Sequence, residues 1–240
     1  MTVADRPLSW FVDRIAGGPP LTFSRWGDGE WHAVLGRTQG KNCDGHPYTA
    51  DLGLALRTVL KARPAHPLGM QPLAVRVMGL KIEAFLAANG LHDLDWVNAD
   101  VFHNASRDGR LDPLVQVLRA KPLLLVGPPH LKAVEGWLGA AGRVEAPARN
   151  AFAALGRLEA KSVAEAAKLP DGGVVAVGVG MPAKVLVDTV SVAHGSRLHV
   201  VDFGSLWDPY CGVKSRKYML GMDVALETGF DVDRPPPRFV

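Results

Sequence analysis

The chain has 240 residues, 48% of them hydrophobic, with 27 Lys and Arg against 24 Asp and Glu and a formal net charge of +3. That is enough apolar material for the core of one large or two small α/β domains, and the interspersed charges exclude a broad electrostatic footprint for nucleic acid. No apolar run approaches a membrane span, and Asp5, Arg6 and Asp13 interrupt any signal-peptide pattern, so a cytoplasmic location is expected.

The two cysteines, Cys43 and Cys211, are far apart and outside any CxxC pair, so free thiols are expected rather than a disulfide or a zinc site. From the N-terminus, Leu8, Phe11, Val12 and Ile15 give a short amphipathic helix over 7–15, stopped by Gly17, Gly18, Pro19 and Pro20. A strand over 21–26 runs into Ser24-Arg25-Trp26-Gly27-Asp28-Gly29-Glu30, and helical spacing resumes through Trp31, Val34 and Leu35 to Gly36. The polar loop 37–47 is close enough to Asp28 and Glu30 to contact a ligand bound there. Thr49 caps a helix reaching Leu60, a short strand is expected over 67–71, and a second amphipathic helix covers 75–88.

The next strand is expected over 95–100, followed by a polar loop with His103, Asn104 and Ser106. A helix over 111–120 leads to the apolar run 123–126, of the kind found in strands buried on both faces. Gly127-Pro128-Pro129-His130 ends that run and a helix reaches residue 138; a short strand over 144–147 and an Ala-rich helix capped by Asn150 and ending near 169 follow. Buried strands over 174–177 and 198–201 flank a helix that opens at Gly178-Val179-Gly180-Met181-Pro182 and runs through His194. This alternation predicts an α/β fold, a single Rossmann-like, doubly wound, mostly parallel sheet with helices on both faces. One domain over 1–240 is expected, with an N-terminal helix and lead-in over 1–20 and a C-terminal loop, short helix and Pro-rich tail over 205–240.

Three constellations carry chemistry. In an extended segment residues i and i+2 point the same way, so Asp28 and Glu30 would face one cation or phosphate-bearing ligand, with Gly27 and Gly29 admitting it and Arg25 offering a planar fork; the same segment also fits a helix-capping turn. Gly178-x-Gly180-x-x-Ala183 with Asp202 about twenty residues on has the spacing of a dinucleotide fingerprint, which makes an NAD-dependent oxidoreductase the runner-up, although a plain turn also fits. Asp202 and Asp208 are candidate general bases, and Lys214 and Arg216, beside Lys217 and Tyr218, would neutralise a diphosphate leaving group. His103, Asn104 and Gly127 sit at expected strand ends where ligands bind.

Arg25-Trp26-Gly27-Asp28-Gly29-Glu30 resembles the RxGDGE signature of the GT-D fold glycosyltransferases, a family first catalogued as a domain of unknown function. Asn98-Ala99-Asp100, the run ending at Pro129, Asn150-Ala151-Phe152 and Asp202 to Asp208 resemble further segments of that group in the same order. The resemblance implies metal-dependent transfer of a hexose from a nucleotide sugar such as UDP-glucose, with Asp28 and Glu30 holding Mn²⁺ or Mg²⁺. The acceptor stays open among protein, glycan, lipid and modified nucleobase, and a catalytically silent nucleotide-binding module is a third reading.

Overall fold

In the computed structural model, which describes residues 1–43, 45–216 and 219, the chain begins with β1 (Val3–Ala4), α1 (Leu8–Gly17), β2 (Thr22–Trp26), α2 (Asp28–Val34) and α3 (Ala50–Lys61). It continues through β3 (Leu68–Met70), α4 (Pro72–Ala88), β4 (Trp96–Asn98), α5 (Val101–Arg107), α6 (Asp112–Arg119), β5 (Leu123–Gly127), α7 (Glu135–Leu138) and β6 (Ala140–Glu145). It closes with α8 (Leu155–Ala166), β7 (Val174–Val177), α9 (Ala183–His194) and β8 (His199–Asp202). The strands form one eight-stranded sheet in the order β1-β4-β3-β2-β8-β7-β5-β6. Every strand pairing in it is parallel, so the carboxyl ends of all the strands share one edge.

The alternation of side chains along each strand builds the two helical layers. Phe23, Leu123, Leu125, Val174, Ala176 and Val201 face α1, α5, α6 and α7. On the other side Trp26, Leu68 and Met70 face α2, α3 and α4, while Leu124, Val126, Val175, Val177 and Val200 face α8 and α9. Both faces are therefore covered, as the unbroken apolar runs of β5 and β7 require.

Several expectations shift at their edges. Residues 102–107 are helical as part of α5 rather than a polar loop: Phe102 and Ala105 pack inward, and the buried Ser106 hydroxyl lies 3.0 Å from Tyr210 Oη. β6 spans Ala140–Glu145 rather than 144–147, because it is an outer strand in which only Val144 is buried. α4 starts at Pro72, whose missing N–H costs nothing in a first turn. Asn150 sits in the left-handed region at φ 52° and makes no side-chain cap. Among the described residues no helix is long and apolar enough to cross a membrane. Lys217, Tyr218 and the tail containing Pro235 to Pro237 lie outside the described residues.

β2 and β8 lie side by side at the middle of the sheet. The chain leaves β2 toward β3 and β4 on one flank, while β7, β5 and β6 lie on the other. That reversal makes the carboxyl ends of β2 and β8 the switch point of the sheet, the place of the crevice in which open α/β sheets bind ligands.

Candidate functional site

β2 delivers Arg25 to Glu30 into this crevice. Trp26 is fully buried and its ring lies 6.0 Å from Trp31 and 6.5 Å from Trp96, so the aromatic residue of the segment is a packing anchor. Gly27 is the last extended residue and Asp28 the first of α2. In a helix two residues apart are about 200° apart around the axis, so Asp28 and Glu30 diverge instead of facing one ligand as extended chain would make them do. Asp28 is exposed and Glu30 is buried.

Glu30 has two partners. Its Oε2 accepts the Gly27 N–H at 2.9 Å, the carboxylate half of a capping box whose reciprocal half glycine has no side chain to supply. Its Oε1 lies 2.6 Å from Lys184 Nζ, and the same ammonium is 3.0 Å from Asp202 Oδ2. Lys184 belongs to the first turn of α9 and is 4% exposed; Asp202, which ends β8, is wholly buried. Burial alone would depress the lysine, but the charges and hydrogen bonds of Asp202 and Glu30 outweigh it and its pKa is raised. Lys184 is thus a fixed cation.

Asp202 is fully engaged. Besides Lys184, its Oδ2 accepts the Arg25 N–H at 3.1 Å, and its Oδ1 accepts the Gly204 N–H at 2.9 Å. A carboxylate holding two backbone donors and an ammonium has no role left as the expected general base. The Arg25 guanidinium is committed as well, with Nε donating to Ala99 O at 2.8 Å, Nη1 to Phe203 O at 3.3 Å, and Nη2 3.6 Å from Asp100 Oδ1. It clamps the ends of β2, β4 and β8 together, in place of the open phosphate fork expected. Burial raises the Asp100 pKa, against the pull of Arg25 and Arg107. Gly204 is obligatory here, since its φ is +57° and a Cβ would lie 2.1 Å from Arg25 Nη1.

The Mn²⁺ or Mg²⁺ expected on Asp28 and Glu30 does not fit this arrangement. The two carboxylates diverge, and both oxygens of Glu30 are occupied, one of them by a cation. Among the described residues no group of three or more His, Cys, Asp or Glu is placed to hold a metal ion.

The glycines at the other strand ends serve close packing. A Cβ on Gly127 would meet Leu131 Cδ1 at 2.3 Å, and one on Gly178 would meet Gly204 O at 2.7 Å. Gly180 has φ +72° and its Cβ position is 3.1 Å from His46 Nε2, so the 37–47 loop lays an imidazole over the turn. Reciprocal hydrogen bonds of 2.9 Å, His46 N–H to Asn42 Oδ1 and Asn42 N–H to His46 O, hold that loop. The room a dinucleotide pyrophosphate needs is filled, and Asp202 has no free oxygen for a ribose, so the oxidoreductase reading loses both its supports. Gly27 and Gly29 pack against Gln71 and Met181, respectively.

His103 lies on α5, buried, with Nε2 3.4 Å from Ser205 Oγ. Burial, together with the Arg25 and Arg216 cations, holds its pKa well below 6.5, so it is neutral. Asn104 is half-buried on the same helix. Asp208 is 8% exposed; its Oδ1 is 2.9 Å from His130 Nε2, and its Oδ2 accepts the Ser215 hydroxyl. Lys214 and Arg216 follow on that segment, exposed and half-buried, with Arg216 Nη1 donating to Ser215 O at 3.1 Å. Lys184 and His130 were not among the residues picked from the sequence. A lysine between Ala183 and Val185 at the start of an apolar helix was a usable signal for the first, and a histidine directly after a buried strand for the second.

No protein-family model matches the chain, and no curated protein matches it. Three solved structures do, and two of them represent the set. One is described as the highly conserved domain of unknown function 1792 with a distinct glycosyltransferase fold; it matches at TM-score 0.63 and 16% identity, over 87% of this chain and 80% of its own. The other, described as a new glycosyltransferase (DUF1792) from Streptococcus sanguinis, matches at TM-score 0.62 and 18% identity, over 100% of this chain and 95% of its own. The chain therefore has the GT-D glycosyltransferase fold, as the segment from Arg25 to Glu30 led us to expect.

Proposed function

We propose that this chain is a glycosyltransferase that moves a hexose from a nucleoside diphosphate sugar, with UDP-glucose the first donor to test, onto an acceptor hydroxyl. The observation that supports this best is the place of Arg25 to Glu30: the segment that resembles the family signature ends the central strand β2 at the switch-point crevice of a glycosyltransferase fold. The carboxyl ends of β2 and β5 are three strand spacings apart, about 14 Å. An extended sugar nucleotide spans that distance.

In this reading Asp28, the one exposed carboxylate of the segment, accepts hydrogen bonds from donor hydroxyls, and Lys214 and Arg216 offset the charge that develops on the departing diphosphate. Asp208 acts through His130. With Nε2–H donated to Asp208, the imidazole keeps its Nδ1 lone pair for the acceptor proton, and the carboxylate fixes that tautomer and stabilises the imidazolium as it forms. No step passes through a metal ion.

Thermal-shift assays with UDP, UDP-glucose and NAD, followed by donor hydrolysis without an acceptor, test the proposal. Stabilisation by UDP-glucose with release of UDP supports it. Stabilisation by NAD alone, or nucleotide binding without turnover in a screen of nucleotide sugars, refutes it.

A further inference from the structure

We propose that Lys184 is the resident cation of the switch-point site: its ammonium takes the position between Glu30 and Asp202 in which a divalent ion would sit, so the chain by itself binds Mn²⁺ or Mg²⁺ at neither carboxylate. The statement about the carboxylates stands on their geometry. Its consequence, that the donor nucleotide binds as well without a divalent ion as with one, rests on the function proposed above.

Three observations converge. One ammonium is shared by two carboxylates, 2.6 Å from Glu30 Oε1 and 3.0 Å from Asp202 Oδ2. The three residues are 4%, 8% and 0% exposed, so an incoming ion would have to displace the lysine rather than water. The remaining carboxylate valences are filled by the Gly27, Arg25 and Gly204 N–H groups. A divalent ion entering beside the ammonium would meet a like charge in a dry interior, where such repulsion is least screened. Through those bonds the lysine ties the turn after β2, the first turn of α9 and the end of β8 into one unit. A bound ion would do the same only while it stayed; an ammonium on a helix keeps these three elements assembled before any donor arrives.

Replacing Lys184 by a neutral side chain of similar length leaves two carboxylates converging on one point. Oxygen pairs around such a point are what hard divalent cations take. Lys184→Met is therefore expected to create a metal site. Mn²⁺ uptake by the nucleotide-free full chain, read from the loss of the free-ion signal in electron paramagnetic resonance, tests this directly. The expected result is no uptake by the wild-type chain, uptake of a single ion by Lys184→Met, and a Tm of Lys184→Met that falls below wild type and is raised again by Mn²⁺.

Wild-type uptake that disappears in Glu30→Gln overturns the proposal, as does a well-folded Lys184→Met that takes up no ion. Should Lys184→Met not fold, wild type and Glu30→Gln decide: no uptake by either supports Lys184 as the resident cation, and uptake lost in Glu30→Gln refutes it. UDP stabilisation of wild type that is equal in EDTA and in Mn²⁺ supports the consequence, and stabilisation that requires Mn²⁺ refutes it. Absence of any nucleotide stabilisation counts against the donor reading alone, because the nucleotide-free titration still decides the role of Lys184.

Discussion

Gly204→Ala is the sharpest single-residue test of how the strand ends are clamped. At φ +57° an alanine pays a left-handed strain of about 1 kcal/mol. Its Cβ would also fall 2.1 Å from Arg25 Nη1, so the guanidinium must withdraw from Phe203 O and from its place beside Asp100. Disturbing hydrogen bonds donated by a charged group costs about 1.5–3 kcal/mol, for a total of about 2.5–4 kcal/mol. In a chain of this length that lowers Tm by about 10 °C. Gly90→Ala is the control, because Gly90 has φ +67° with nothing within 4 Å of its Cβ position and should show the strain alone. Urea unfolding followed by tryptophan fluorescence reads both variants, with the midpoint falling and the slope unchanged. In an Arg25→Ala background Gly204→Ala should cost no more than Gly90→Ala does. If the two alanines cost the same in the wild-type background, Arg25 does not hold the position described here.

Other outcomes follow from the same geometry. His130→Asn should lower sugar transfer by about a hundredfold or more without changing the thermal shift produced by UDP, since it removes a base and no donor contact; an unchanged rate rules His130 out. Asp202→Asn leaves Lys184 one buried carboxylate short and should destabilise the fold by about 3 kcal/mol in the same unfolding assay, whereas a neutral effect would mean that the buried charges are not mutually dependent. Acid should weaken the protein through two histidines whose charged form burial disfavours. His199 accepts the Leu21 N–H at Nδ1 and burial holds its pKa at about 4, as burial also does for His66, against 6.5 for the free group. As pH falls below 6.5 the unfolded chain takes up these protons and the folded chain does not, so stability is full above 6.5 and declines toward 4. Urea midpoints across that window should show the decline, and His199→Asn, which can still accept from Leu21, should reduce it by about half, leaving the share of His66.

The sheet was legible because its inner strands carry signals that nothing else in the chain imitates. β5 and β7 are unbroken apolar runs between Gly and Pro punctuation, and both are buried throughout. The misreadings fall where that signal is weak. β1 has two residues, too few for any periodicity, and exists because β4 offers an open edge to pair with. α5 looks like a loop because its inward positions include His103 and Ser106, whose polarity is met by Ser205 and Tyr210, a hundred residues downstream. No local pattern announces a polar residue that is buried with a distant partner.

Asp28 and Glu30 show where the same limit falls on the site. The segment held two instructions at once. Period-two spacing offered a shared direction for the carboxylates, while acidic residues in a first turn, with Glu at its third position, favour a helix start. The helix prevails, and Trp26 and Trp31, buried and packed against each other at the junction, leave the turn little freedom to do otherwise. What Glu30 then does depends on Lys184, 154 positions away, which is brought within reach because β8 inserts beside β2 and α9 precedes β8. The edge of the sheet that holds the site therefore follows from the alternation of strands and helices alone. The chemistry of each carboxylate follows only from its partner, which is why Asp28 and Glu30, two residues apart in sequence, belong to different networks, one open to solvent and one closed around an ammonium.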